Sequence, residues 1–259
     1  MPKWDPKDYE KSSSAQEKWA KELIAKLKLK GNERILDIGC GDGKVTVLLA
    51  EHVPNGSVTG VDLSPDMIAY AKTKYKDRRN LIFQMGDASN LEYAKEFDYA
   101  VSFACLHWIK DHIPVLQGIK RSLRPNGRIM LQFGGSGNAA ELVKAADDVI
   151  TRNWKKYFKE FVFPYSFYSA EEYIVFLKKA GLKGTRVELV PKDRSDAGCD
   201  GLAGFIRTTW QPYTDRVPEN MHKEFIREIV EEYIRRNPVD SKGMIHIPMM
   251  RLEVEACIP

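Results

Sequence analysis

Three carboxylates and a run of alternating glycines carry the most chemical information in this chain. Asp37 precedes Gly39, Gly41 and Gly43 in I-L-D-I-G-C-G-D-G, Asp62 lies in G-V-D-L-S, and Asp87 stands in M-G-D-A. Glycine lets a backbone approach a ligand closely and take positive φ without a Cβ clash. A dinucleotide-binding turn reads G-x-G-x-x-G, and its third glycine would fall on Lys44. Asp37, just ahead of the loop, would repel a pyrophosphate but suits a ligand with a free ammonium. Asp62 follows Gly43 at a distance that suits it to accept hydrogen bonds from both hydroxyls of a ribose. Asp87 is placed to accept from an adenine amino group, and the Ala88 N–H to donate to a ring nitrogen. An adenosine carrying an ammonium and a sulfonium satisfies the loop and all three acids, so the expected cofactor is S-adenosylmethionine. Leu63, beside Asp62, and Phe103 complete the expected cofactor set of Asp37, Gly39, Gly41, Asp62, Leu63, Asp87, Ala88 and Phe103. Each piece also has a plainer reading: a tight turn for the glycines, a helix N-cap for Asp62, an ordinary turn for Asp87.

For these residues to converge, successive strands must end side by side. Strand-like and helix-like segments do alternate from residue 34 to about 133, the pattern of a parallel α/β sheet with ligands at the carboxyl ends of its strands. Strands are expected at 34–38, 57–62, 81–85, 99–103 and 127–133, with helices at 44–52, 65–75 and 113–123 between them. Pro65 suits a first helical turn. An amphipathic helix over 15–29 precedes the sheet, after a polar, mobile lead-in through Ser12-Ser13-Ser14.

Beyond residue 134 the alternation breaks. Trp154, Tyr157, Phe158, Phe161, Phe163, Tyr165, Phe167 and Tyr168 crowd one short stretch, most of them as core or cap packing and two or three as the lining of an apolar pocket. A helix at 170–180 and a strand at 185–190 follow, then a long polar stretch, a helix at 221–236 striped by Phe225, Ile229 and Tyr233, and a strand at 249–256. The insertion between the last two strands must be a cap. The expected organisation is an N-terminal lid and helix over 1–32, a cofactor-binding core over 33–192 with an aromatic cap segment near 150–168, a helical cap over 193–246, and the last core strand over 247–259.

With 259 residues, 43% of them hydrophobic, the chain can bury a full core. The net charge of +4 comes from lysines and arginines spread along the sequence, which argues against a nucleic-acid partner. No apolar run approaches the roughly 20 residues of a membrane span. The first residues lack the apolar region of a secretory signal, so a cytoplasmic protein is expected, without a membrane partner and as a monomer or homodimer. Cys40, Cys105, Cys199 and Cys257 lack metal-ligand spacing and read as reduced thiols; no metal is expected.

Taken in order, L-D-I-G-C-G-D-G, G-V-D-L-S, G-D-A, F-D-Y-A-V-S-F and L-R-P-N-G-R-I-M-L resemble the class I S-adenosylmethionine-dependent methyltransferases over roughly residues 33–133. The resemblance implies a Rossmann-like, seven-stranded, mostly parallel sheet with an antiparallel last strand, here with a helical cap inserted before that strand. S-F-A-C-L-H-W-I-K-D-H, from Ser102 to His112, is similar to the juvenile hormone acid methyltransferases and, more loosely, to the trans-aconitate methyltransferases, which esterify small carboxylic acids. The Tyr9 to Gln16 spacing and the ending D-S-K-G-M-I-H-I-P-M-M-R-L-E-V-E-A resemble that group as well, while residues 193–221 match neither.

A carboxylate acceptor is anionic at neutral pH and needs no general base; the enzyme has to orient one oxygen in line with the methyl and exclude water. Neutral donors suit this better than an arginine, which would stabilise a charge that vanishes in the transition state. The indole N–H of Trp108 and the amide of Gln16 are the expected carboxylate holders, with His107 as a neighbouring donor or wall. Plainer readings stand beside these: core packing for Trp108, a structural role for His107, a surface position for Gln16. Arg207 could reach the remote end of an acidic acceptor, although a solvated arginine is the simpler reading. The expected reaction is in-line methyl transfer to a small-molecule acceptor without a metal. An N-methyltransferase of a small amine, with His107 as base, and an RNA methyltransferase remain as alternatives.

Overall fold

The computed structural model describes residues 5–12 and 14–259. Seven strands, β1 (Arg34–Ile38), β2 (Ser57–Asp62), β3 (Leu81–Met85), β4 (Phe97–Phe103), β5 (Leu123–Gly134), β6 (Lys183–Ala197) and β7 (Met244–Cys257), form one sheet in the order β3-β2-β1-β4-β5-β7-β6. β1 to β5 pair in parallel wherever they are neighbours, and β7 runs antiparallel to β5. This is the expected architecture. The helices are α1 (Pro6–Ser12), α2 (Ser14–Ile24), α3 (Lys44–His52), α4 (Pro65–Lys74), α5 (His112–Ser122), α6 (Ala140–Val149), α7 (Ala170–Lys179), α8 (Gly198–Thr209), α9 (Gln211–Thr214) and α10 (His222–Arg236).

Local signals start these helices where they do. Ser64 caps α4, its hydroxyl accepting from the Met67 N–H, and Pro65 fills the first turn, where a missing N–H costs nothing. The Asp111 carboxylate accepts from the Ile113 N–H ahead of α5. Ser169 and Glu172 form a reciprocal capping box at α7.

Two contact units make up the chain. One comprises residues 13–136, 165–190 and 251–259; the other comprises residues up to Ser12, 137–164 and 191–250. In the first, alternate residues of the central strands feed two cores on opposite faces of the sheet, as a strand period of two requires. Leu36, Ala100, Ile129 and Leu131 join α5 and α7 residues such as Leu116, Ile119 and Leu177. Ile35, Val101 and Met130 join Leu23 and Ile24 of α2 and Leu49 of α3.

The second unit has its own core. Trp154 packs against Phe225 at 5.2 Å and Phe161 against Tyr213 at 4.8 Å, between ring centroids. Phe225, Ile229 and Tyr233, the stripe read from sequence, are fully buried.

Several elements depart from expectation: β6 and β7 run longer than the strands expected at 185–190 and 249–256, and the short α9 was not expected. The lead-in expected to be mobile contains α1, whose Asp8 accepts two hydrogen bonds from Arg207 of α8 (2.8 and 2.9 Å); residues 1–4 and Ser13 lie outside the described residues. The stretch read as polar after residue 190 holds α8, because Leu202, Phe205 and Ile206 fall at helical spacing among its polar residues. α6 was not expected at all. α2 ends at Ile24, earlier than the pattern suggested. No helix among the described residues is long and apolar enough to cross a membrane.

Candidate active site

The strand registers align the carboxyl ends of β1, β2 and β3: Ile38 pairs with Val61, and Asp62 with Met85. At this edge β1 turns into the glycine loop. The N–H groups of Gly39 and Cys40 both donate to the Val61 carbonyl (2.8 and 3.0 Å), and that of Gly43 donates to the Cys40 carbonyl (3.0 Å). The Gly41 N–H donates to Asp62 Oδ2 at 2.9 Å and the Lys44 N–H to Asp42 Oδ1 at 3.2 Å. These donors are spent inside the protein, whereas a pyrophosphate site points several of them at its ligand. The loop therefore excludes a phosphate cradle, in line with the missing third glycine.

Gly39 and Gly41 show why glycine is required. Both take left-handed φ, +74° and +53°. A Cβ on Gly39 would lie 2.1 Å from the Cys105 sulfur, so that position is closed by packing. A Cβ on Gly41 would meet nothing within 4 Å, so that position faces open space in which a ligand fits.

Asp62 does more than the sequence suggested. Besides bracing Gly41 through Oδ2, it accepts from the Ser64 N–H through Oδ1 (2.9 Å), so one carboxylate ties the glycine loop to the start of α4. Each oxygen keeps a second lone pair for a ribose hydroxyl. Burial pushes the Asp62 carboxyl above its ordinary pKa, opposed by the bonds from Ser64, Gly41 and Leu63. Asp37 is only 2% exposed, and its Oδ2 accepts from the Thr46 hydroxyl at 2.8 Å. Burial raises its carboxyl to about 7, the Thr46 bond opposes the rise, and the charge of Asp62 adds to it. A buried acid held at the threshold of ionisation is a site that a cation would complete.

The other residues expected to meet the cofactor divide. Leu63 is 40% exposed and Met85, at the end of β3, 52% exposed, so apolar surface is presented where an adenine needs a wall. Asp87 is exposed and caps a short 3-10 turn beginning at Ala88 by accepting from the Ser89 N–H (2.8 Å). The Phe103 ring instead packs in the core beside Leu23 and Met130, so at this position only the backbone faces the sheet edge.

After β4 the chain turns sharply. Ala104 takes φ +57° while its N–H donates to the Gln132 carbonyl (2.7 Å), and the strain of a left-handed alanine re-aims Cys105–Trp108. His107 is half-buried. Its Nδ1 accepts from the Gly134 N–H at 3.5 Å, which assigns the proton of the neutral ring to Nε2. Burial, then the cation of Arg251, then His112 hold its pKa well below the usual imidazole value. His107 is thus a neutral donor through Nε2 and a weak base.

A strap from the aromatic stretch fixes this turn. The Ser166 N–H donates to the His107 carbonyl (2.8 Å) and the Lys110 ammonium to the Tyr165 carbonyl (3.1 Å). Tyr165 meets Trp108 edge-on at 5.0 Å and stacks on Phe167 at 5.5 Å; His107 lies within about 6 Å of both. The aromatic stretch therefore splits: Tyr165, Phe167 and Tyr168 belong to the sheet unit, and Trp154 to Phe161 form the core of the other.

Gln16 lies on α2 one turn before Trp19, hence on the same helix face. The Trp19 ring carries the Arg251 guanidinium at 5.4 Å. Arg207, weighed as an acceptor contact, is instead held by Asp8. Arg251 was missed because it stands in a strand pattern, and only the pairing of β5 with β7 brings it to this edge. Among the described residues no His, Cys, Asp and Glu cluster could hold a metal ion.

Comparisons with known proteins agree with this fold. A model of the methyltransferase domain matches residues 35–127. The chain is 31% identical over 259 residues to an uncharacterized methyltransferase of Schizosaccharomyces pombe, across 98% of this chain and 97% of that protein. It is 26% identical to a trans-aconitate 2-methyltransferase of Methylobacterium nodulans, across 97% of each. A solved structure of a candidate methyltransferase from Bacillus halodurans C-125 shares the fold, with a TM-score of 0.64 at 16% identity over 93% of this chain and 98% of that one.

Proposed function

The chain belongs to the class I S-adenosylmethionine-dependent methyltransferases, and we propose that it transfers the methyl group to a carboxylate of a small organic acid. When bound, S-adenosylmethionine supplies an electrophilic methyl on a sulfonium. Gly41 gives the cofactor room, Asp62 accepts from its ribose, Asp37 receives its ammonium, Leu63 and Met85 flank its adenine, and Asp87 and the Ala88 N–H read its base edge.

One observation carries the choice of acceptor: the turn after β4 presents a neutral, weakly basic imidazole. An ammonium acceptor must lose a proton before it can attack, and His107, whose pKa is lowered by burial and by the cation of Arg251, is a poor recipient for it. A carboxylate attacks as it stands. The methyl that the bound cofactor would supply could pass to one of its oxygens with no proton to be moved by the protein. Trp108 and Gln16 would donate to the carboxylate and His107 would wall or donate beside them, fixing one oxygen in line. The printed name of the Methylobacterium relative, a trans-aconitate methyltransferase, supports an acid as acceptor. In this reading the partner is a free small molecule in the cytoplasm.

The test is an acceptor screen with purified protein and labelled cofactor, using matched acids and amines. Base-labile methyl esters are expected. Base-stable N-methyl products, with no ester from any acid, would overturn the reading.

A further inference from the structure

Cys105 opens the turn after β4, and its side chain reaches back to the glycine loop. A Cβ built on Gly39 would collide with both the Sγ and the Cβ of Cys105, so this side chain and the loop are in direct contact. Behind them the Ser102 hydroxyl donates at 2.7 Å to the carbonyl of Ile38, the last residue of β1 before Gly39. That proton is committed to Ile38, so the Ser102 oxygen accepts from the Cys105 thiol. On its main-chain side the Cys105 carbonyl accepts from the Trp108 N–H at 3.0 Å, which closes the short 3-10 turn Leu106–Trp108. One residue is thus joined through its side chain to the donor loop and through its carbonyl to Trp108.

The thiol is not arranged for chemistry of its own. Burial, then the negative charges of Asp62 and Asp37, hold its pKa well above the ordinary value, so it stays protonated, whereas a nucleophile must be a thiolate. What remains is its size and its hydrogen bond. The backbones on either side are anchored: Gly39 by its bond to the Val61 carbonyl, and left-handed Ala104 by its bond to the Gln132 carbonyl. A sulfur packed between two anchored segments sets their separation, because close-packed contacts transmit displacement rather than absorb it.

We propose that Cys105 is a positioning residue of methyl transfer: its side chain, seated on Gly39 and bonded to Ser102, sets the spacing between the donor loop and the turn that carries His107 and Trp108. In-line transfer is sensitive to that spacing, since a misplacement of about 1 Å can cost about 100-fold in rate. The spacing matters to acids and amines alike, and this assignment rests only on the reading of that turn as the acceptor side.

The experiment measures turnover with the best acceptor from the acid and amine panels, and S-adenosylmethionine affinity by calorimetry. Cys105→Ala is expected to lower kcat about 10–100-fold while cofactor affinity and acceptor KM change little. Cys105→Ser, which keeps the hydrogen bond and loses only part of the size, is expected to fall between Cys105→Ala and the native enzyme. A merely structural cysteine would lower the melting temperature or cofactor affinity and spare kcat; that outcome, or native kcat in Cys105→Ala, overturns the inference. A second arm needs no acceptor. Gly39→Ala is expected to weaken cofactor affinity at least about 10-fold, and added Cys105→Gly to recover part of the loss, because the collision is relieved while the left-handed strain stays. Affinity no better in the double variant than in Gly39→Ala overturns the inference, whether or not an acceptor is found. Normal turnover in Trp108→Phe would bring down the reading of the turn and this inference with it. Methylation of an amine but of no acid would bring down the carboxylate reading alone.

Discussion

Around Gly39–Gly43 the ligand edge is held by main-chain hydrogen bonds: Gly39 and Cys40 to Val61, Gly41 to Asp62, Gly43 to Cys40. Around His107 it is held by rings and by residues from distant segments: Tyr165 and Phe167 beside His107 and Trp108, Arg251 over Trp19. The first half uses groups every residue has, so it depends on glycines and acids at fixed spacing. The second depends on side-chain identity, and a few substitutions can re-aim it. A conserved donor and a variable acceptor need this division, since one cofactor serves many acceptors.

The contrast can be broken most severely at its first half. Asp62→Ala removes the brace on Gly41, the contact to Ser64 and the ribose acceptor together. With about 1.5–3 kcal/mol per charge-assisted bond, S-adenosylmethionine affinity should fall at least about 100-fold. Unchanged calorimetric affinity would show that the loop needs no brace. At the second half, Trp108→Phe keeps the edge-on contact with Tyr165 but deletes the indole N–H. Turnover should fall about 10–100-fold, as for lost positioning, with cofactor affinity nearly intact. Normal turnover would make Trp108 packing alone.

A smaller, graded effect separates the two acids of the cofactor side. The Asp37 carboxyl is raised from 3.8 to about 7 in the unliganded protein. Its native pKa exceeds its unfolded one, so its contribution to stability is fully present below pH 3.8 and is lost as pH rises through about 7. Pairing with an ammonium requires the ionised form, so cofactor affinity should weaken about tenfold for each pH unit below 7. Asp37→Asn should flatten that slope and raise the unliganded melting temperature most above pH 7. A wild-type affinity independent of pH between 5.5 and 8 would mean that Asp37 does not face the ammonium.

Much of the cofactor half was legible before any coordinates. β1, α3, β2 and β3 fall on their expected bounds, because strand period, a Ser-Pro helix start and glycine punctuation are local signals. What misled were elements whose signal is relational. α8 hides its apolar face among polar residues, and α6 follows a sheet that seemed to have ended the pattern. Phe103 belongs to the expected cofactor set, and strand alternation turns its ring into the core, which its place in the sequence did not state.

By itself the sequence determined the sheet unit's order of elements, the glycine loop and the acids at the strand ends around it, because each follows from short-range spacing and backbone conformation. Only the tertiary structure decided that Asp62 braces the loop, that burial holds Asp37 near ionisation and His107 neutral, and that Arg251 stands beside Gly134. Desolvation and charge proximity depend on what the rest of the chain brings to within a few ångströms, and a linear sequence does not state those distances.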